Sequence, residues 1–350
     1  MTTERRPPPP TMLLVVTGVG HGQKGTARAL LDEFRKKRDP RSALVDLDDC
    51  LTGSELFAAA RGETNITEST LEKIQALAMD RTSGNLQHLV ALDPVAGRLV
   101  SNALPGKPLA LVQCGVTADA RWPVEAASMA IVPDQAAAKD FLARGMSSDR
   151  IVPLGIPLCP GFALGPSTDG SEAAAQLGMD PARPIIILAA EALAPFDVLR
   201  AAKALAQPPG LLQVAVDLAG DWEADEAFKN EESLPDKDIR PFGKTDMAPT
   251  WWASADLVVC HPSDHIVSRA LALGKPLVTL PPDRPSALRV IRAISDRQVG
   301  LAAKRWEDFP ATVAKALSLL PKWTRATSRL RGGTAVSRIT TALQAFGNGR

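Results

Sequence analysis

The sequence predicts an α/β protein of two doubly wound domains, each a parallel sheet covered by helices on both faces. Three observations carry this reading. Short apolar, β-branched runs alternate with helical patterns along the whole chain. The first such unit, Leu13 to Phe34, is a strand, a glycine turn and a helix. A stretch dense in Gly, Pro, Ser and Asp, from Cys159 to Pro184, then divides the chain into two similar halves. At 350 residues the chain is also long for a single core.

In the first half, Leu13–Thr17 reads as a buried strand. Gly18, Gly20 and Gly22 form a tight turn around His21, and Ala27, Leu30, Leu31 and Phe34 recur at helical spacing. The glycines let backbone amides approach a ligand, and the helix N-terminus favours an anion or a developing negative charge. The pattern is G-x-G-x-G, not the dinucleotide fingerprint. His21 has the pKa of a general base near neutrality; a solvated turn histidine is the other reading. Arg41–Asp46 follows as a strand. Asp46, Asp48 and Asp49 behind it read as a solvated turn, as charge runs commonly are. Helices are expected at Ser54–Ala60, at Glu68–Met79 behind a capping box, at Pro94–Asn102 and at Asp134–Arg144. Strands are expected at Leu86–Leu92, Pro108–Cys114, Ala130–Val132 and Ile151–Leu154.

In the second half, a short helix at Ser171–Leu177 lies within the connection. Strands follow at Pro184–Ala189, Leu212–Leu218, Ile239–Phe242, Asp256–Cys260 and Pro276–Leu280. Helices are expected at Phe196–Leu205, Ala248–Ala255, Ile266–Ala272, Ala287–Arg297 and Trp306–Leu319, and the tail Pro321–Phe346 reads as one amphipathic helix. Two such domains joined by one connection place the expected ligand cleft between them.

Composition narrows the function classes. The formal charge is +1, which argues against nucleic acid as a partner. Four scattered cysteines without a C-x-x-C pair read as reduced thiols of a cytoplasmic protein. No apolar run reaches the length of a membrane span, and MTTERRPPPP reads as a polyproline-like lead rather than a signal peptide. Cys260, His261, Asp264 and His265 superficially suggest metal ligands. Pro262 favours an extended His261, however, and without further ligands no metal site is expected. For Trp251-Trp252 the expectation is one indole in the core and one at its rim. Arg325, Arg329, Arg331 and Arg338 would give the tail a basic side able to meet a membrane surface.

Three segments together resemble the monogalactosyldiacylglycerol synthase type of diacylglycerol glycosyltransferase. They are GVGHGQKGTARAL from Gly18, the run from Val116 to Phe162 through VTADARW and AIVPDQAAAKDFLARGMSSDRIVPLGIPLCPGF, and PTWWASADLVVCHPSDHIVSRALALGKPLV from Pro249. The resemblance spans most of residues 12–300 in order and spacing. It implies a GT-B fold, two Rossmann-like domains facing each other across a cleft. The implied organisation is a lead over 1–11, an acceptor domain over 12–160, a linker over 161–183, a donor domain over 184–320 and a C-terminal helix over 321–350 that crosses back to the first domain.

The implied activity is inverting transfer of a sugar from a nucleotide donor, a UDP-sugar by family pattern, to a hydroxyl of a lipid or other apolar acceptor. His21 would be the base, with Gly20, Gly22, Thr117 and Asp119 on the acceptor side. Asp119 touches the acceptor or orients His21 in this scheme. Ser263, Asp264, His265, Arg269 and Arg284 would hold the donor phosphates, with neither metal nor cofactor. A cytoplasmic protein in peripheral contact with the membrane follows from such an acceptor.

The donor side departs from the family. His261-Pro262-Ser263-Asp264-His265 replaces a glycine-rich loop, and Arg269 replaces a glutamate that bonds the nucleotide ribose. Pro282 to Ala287 replaces a sugar-reading segment. Ala189-Ala190-Glu191 replaces a glycine turn, where Glu191 would repel a pyrophosphate. These departures keep two alternatives open: a non-catalytic binding protein that has lost donor recognition, and a sugar-nucleotide epimerase of the same fold.

Overall fold

The computed structural model describes residues 9–18, 23–61, 63, 66–117, 119–162, 170–207, 212–231, 239–330 and 332–348. His21, Gly20 and Gly22 lie outside these residues, as do Ala118 and Arg331. The chain divides into two units, Met1–Pro160 with Thr334–Arg350, and Gly161–Gly333.

The first unit is a six-stranded parallel sheet. Its strands are β1 (Met12–Val16), β2 (Ser42–Asp46), β3 (His88–Ala91), β4 (Leu109–Val112), β5 (Met129–Val132) and β6 (Ile151–Pro153), in the order β2-β1-β3-β4-β5-β6. The helices are α1 (Gln23–Lys36), α2 (Gly53–Ala60), α3 (Glu68–Thr82), α4 (Pro94–Ala103) and α5 (Gln135–Ala143). Alternate strand residues feed opposite faces. Leu13, Val15, Leu89 and Leu111 pack with Ile74, Leu99 and Phe141 of α3, α4 and α5. Leu14, Val16, Val90 and Val112 pack with Leu30 and Phe34 of α1 and with Ile339 and Leu343 near the chain's end.

The second unit is another six-stranded parallel sheet. It contains β7 (Ile185–Ala189), β8 (Gln213–Asp217), β9 (Ile239–Phe242), β10 (Leu257–Cys260), β11 (Leu277–Thr279) and β12 (Gly300–Ala302), in the order β12-β11-β10-β7-β8-β9. Its helices are α6 (Gly170–Gln176), α7 (Pro195–Leu205), α8 (Trp222–Lys229), α9 (Ala248–Ser254), α10 (Asp264–Ala272), α11 (Pro285–Arg297) and α12 (Phe309–Thr327). The 161–183 segment thus contributes α6 to this unit, where it packs against α9.

Three sequence expectations are corrected. The tail is not one helix. α12 continues through Pro321, whose ring lies on an exposed face, and ends at Thr327; α13 (Ala335–Gly347) then belongs to the first unit. Arg325 and Arg329 therefore lie in one unit and Arg338 in the other, so they do not share one helix side. Two elements had no counterpart in the reading, α8 and the three-residue strand β12. The signal for α8 was Asp221, whose carboxylate accepts from the amides of Glu223 and Ala224.

Asp46, Asp48 and Asp49 are not simply a solvated turn. Asp48 accepts the Gly18 amide at 2.6 Å, and Lys24 Nζ lies 2.6 Å from Asp46 and 2.7 Å from Asp48. A Cβ on Gly18 would meet the Asp48 carboxylate, so a larger residue there would push that side chain out of its place.

Candidate functional site

In doubly wound sheets, ligands bind beyond the carboxyl ends of the strands where the strand order reverses. Each unit has one such point, at β1 and β3 in the first and at β7 and β10 in the second.

In the first unit, Thr17 and Gly18 leave β1, and Leu92 and Asp93 leave β3. Asp93 is 1% exposed. Its carboxylate accepts the Thr17 amide at 2.8 Å, the Thr17 hydroxyl at 3.0 Å and the Ala96 amide at 2.8 Å, the last as N-cap of α4. Burial outweighs these bonds and raises the carboxyl from its ordinary range to about 6. Sequence reading missed Asp93, although Asp-Pro at a strand end is a helix-start signal. Asp93 thus fixes the backbone of Thr17, where the chain leaves β1. Thr117 and Asp119 are half-buried. Asp119 is engaged by Arg121, through Nη2 at 2.6 Å and Nε at 3.0 Å. Arg144 Nη1 donates to the Asp119 carbonyl at 3.2 Å, which ties the loop to α5's end.

In the second unit, Glu191 follows β7, and His261, Pro262 and Ser263 follow β10 into α10. Two non-glycine residues here adopt left-handed backbone, Ala192 at φ 68° after β7 and Ala219 at φ 53° after β8. Such strain gathers at functional sites. Ala192 takes a conformation that a turn glycine would adopt freely.

The side chains form two networks. In one, His265 Nε2 lies 2.9 Å from Glu191 Oε1, and Arg269 Nη1 donates to Glu191 Oε2 at 3.1 Å. An ionised carboxylate only accepts, so His265 carries its proton on Nε2. The His265 bond, with Arg269 behind it, holds Glu191 down to about 2. The Arg269 guanidinium lies over the rings of Phe162 and Trp252, 4.7 and 5.3 Å from their centroids. Trp252 is fully buried and donates from Nε1 to Asp217 at 2.7 Å, while Trp251 packs edge-on against Phe242.

In the other network, His261 is buried between Ser263 Oγ, 2.6 Å from Nδ1, and Asp283 Oδ1, 2.9 Å from Nε2. The same donor argument puts the His261 proton on Nε2, leaving Nδ1 to accept from the Ser263 hydroxyl. Ser263 is the N-cap residue of α10, yet its side chain makes no cap bond. Arg284 donates to Asp283 from Nε and Nη2, both at 3.0 Å, and holds that carboxyl well below the usual range, with His261 adding to the effect.

The structure thus gathers Glu191, Ser263, Asp264, His265 and Arg269 at one reversal point, with Arg284 held to the loop through Asp283. Glu191 acts as a partner of His265 and Arg269. Sequence reading set Glu191 against a phosphate but did not pair it. Among the described residues, no group of three or more His, Cys, Asp and Glu is arranged to hold a metal ion. No helix among them is long and apolar enough to cross a membrane.

No family model matches the chain. It is similar to the UDP-N-acetylglucosamine–N-acetylmuramyl-(pentapeptide) pyrophosphoryl-undecaprenol N-acetylglucosamine transferase of Bifidobacterium adolescentis, 28% identical over 159 residues. That alignment covers 39% of this chain and 40% of the relative's length. Among solved structures, a UDP co-structure of S. aureus MnaA matches with TM-score 0.65 and 11% identity, over 97% of each chain. The UDP-GlcNAc 2-epimerase from Neisseria meningitidis bound to UDP-GlcNAc matches with TM-score 0.64 and 12% identity, over 95% of this chain and all of that one. The wall teichoic acid polymerase TagF matches with TM-score 0.53 and 10% identity, over 97% of this chain and 89% of that one. At these identities the likeness is one of architecture: the chain has a GT-B-like fold.

Proposed function

We propose that the protein is a glycosyltransferase that moves a sugar, with inversion, from a UDP-sugar to a hydroxyl of a lipid or other apolar acceptor. The observation that carries this reading is the convergence of His265 and Arg269 on one carboxylate at the start of α10. Two donors aimed at a single anion, at a helix N-terminus and a reversal point, form an anion site that Glu191 fills. The donor's diphosphate would take the place of Glu191, and Ser263 and Asp264 would lie at the same helix start. The relatives with UDP or UDP-sugars in their names support the donor class. Residues 12–160 would serve the acceptor and 184–320 the donor.

In this scheme the acceptor oxygen attacks the anomeric carbon as the bond from that carbon to the diphosphate oxygen breaks. His21 would take the hydroxyl proton, and Gly20, Gly22, Thr117 and Asp119 would serve the acceptor. The charge that develops on the leaving diphosphate meets the α10 amides, His265 and Arg269. Arg284 would reach the donor from the loop edge. With such an acceptor the reaction would run on the cytoplasmic side, at a membrane surface.

Calorimetric titration with UDP tests the donor site. Micromolar binding that Arg269→Ala weakens at least tenfold is expected, with acceptor-dependent UDP release lost in His21→Ala. Folded protein that takes up no nucleotide would leave the non-catalytic binding protein standing. A second reading, epimerisation of a UDP-sugar, draws on the end-to-end likeness to 2-epimerase structures. An epimerase yields a new UDP-sugar isomer without acceptor; a transferase releases UDP only with one.

A further inference from the structure

A second cavity, lined by charged and apolar side chains together, lies at the open edge of the first unit's sheet and takes in Val16 at the end of β1. The edge strand β2 is sandwiched there between α1 and α3. Lys24 and Arg28 stand one turn apart on α1, and Leu77 and Arg81 one turn apart on α3, so each pair shares a helix face. With Val16, Leu44, Val45, Asp46 and Asp49 they line a cavity of about 270 Å³.

The charges in this cavity are not equivalent. Lys24 is committed to Asp46 and Asp48. Arg28 and Arg81 are exposed and have no hydrogen bond or ion pair among the described residues, and neither has the Asp49 carboxylate. Two guanidiniums from different helices thus face one space, with their donor forks open to a planar or tetrahedral oxyanion. The free carboxylate of Asp49 works against a bare anion and in favour of a ligand that also brings hydroxyl donors. Val16, Leu44 and Leu77 offer an apolar wall suited to the carbon face of a ring. The volume lies just under the usual range of about 300–1,000 Å³ for sites of drug-sized ligands, which suits a monosaccharide rather than a whole nucleotide sugar.

We propose that this edge cavity binds a soluble phosphate monoester that carries hydroxyl groups, a sugar phosphate, with Arg28 and Arg81 on the phosphate and Asp49 on the hydroxyls. The site uses none of the residues assigned to the donor, and its occupancy does not depend on the transferase reading.

Calorimetry on the full chain tests it, with glucose 1-phosphate, glucose 6-phosphate and glycerol 3-phosphate as probes and glucose and inorganic phosphate as controls. At least one probe is expected to bind with a sub-millimolar Kd, about tenfold or more tighter than either control. Arg28→Ala with Arg81→Ala, both at exposed positions, should weaken that binding at least about tenfold while leaving UDP affinity and the circular dichroism spectrum unchanged. Asp49→Asn should weaken the sugar phosphate several-fold and leave inorganic phosphate as it was. Failure of all three probes to bind folded protein overturns the site, as does affinity unaltered in the double arginine variant. Equal affinity for inorganic phosphate and the sugar phosphates overturns the role of Asp49.

Discussion

Asp93 in the first unit and Glu191 in the second each stand beyond the end of a strand where their sheet's order reverses. Asp93 is sealed from water and bonded by neutral groups, backbone amides and a hydroxyl, and its carboxyl rises to about 6. Glu191 is partly exposed and bonded by an imidazole and a guanidinium, and its carboxyl falls to about 2. Hydrogen-bond count does not separate them; partner charge and water access do. One unit uses its carboxylate to fix the backbone at Thr17, and the other uses it to join an imidazole and a guanidinium of one helix.

Removing the Asp93 carboxylate should have the largest effect. Asp93→Ala leaves the Thr17 amide and hydroxyl without their acceptor and uncaps α4, for a loss of about 4 kcal/mol in chemical denaturation. Asp93→Asn keeps an acceptor and should lose less. If both cost the same, the anchoring role of the carboxylate oxygens is wrong.

The next contrast is in pH. The folded pKa of Asp93 lies above the ordinary 3.8, so its share of stability is full below about pH 4 and is lost as pH rises through about 6. The full shift corresponds to about 3 kcal/mol. Glu191 runs the other way: its folded pKa lies below 4.5, so its share is present above that value and is lost as pH falls toward 2. Denaturation curves of Asp93→Asn and Glu191→Gln should each flatten one limb of the pH profile, and different limbs.

A smaller effect is expected in binding. Glu191→Gln removes the charge that competes with a diphosphate, so UDP should bind about three- to tenfold more tightly by calorimetry. Unchanged or weaker binding would mean that the diphosphate does not displace Glu191. The smallest is Lys24→Ala, whose carboxylate partners are part-exposed; about 0.5–1 kcal/mol of stability should be lost, and less in high salt.

Much of the fold was legible because its signals are local. The apolar run Leu13–Thr17, the glycines after it and the spacing of Ala27, Leu30 and Phe34 all lie within one short segment. The site networks were less legible because their partners are far apart in sequence. Thr17 meets Asp93 across 76 residues, Gly18 meets Asp48 across 30, and His265 meets Glu191 across 74. Spacing could flag His261 and His265 as chemically interesting. It could not show that Ser263 turns to His261 instead of capping α10, or that Arg269 stacks on Trp252 and holds Glu191. Of the two elements that were missed, β12 has only three residues, and α8 is announced by its Asp221 cap more than by its spacing.

The return of α13 has a consequence for the order of assembly. Ala335, Ile339 and Leu343 complete the core beneath Leu14, Val16 and Phe34, and Lys37 reaches Ser337 and Thr341 across some 300 residues. During synthesis, β1 to β6 exist long before this helix does, so one face of the first sheet waits uncovered while the whole second unit is made. The second unit, contiguous from Gly161 to Gly333, has no such debt and can close first. The earlier-made half of the chain is therefore the later one to mature, and in that interval the apolar residues of β1 and α1 are the surface on which a chaperone or an aggregate would form.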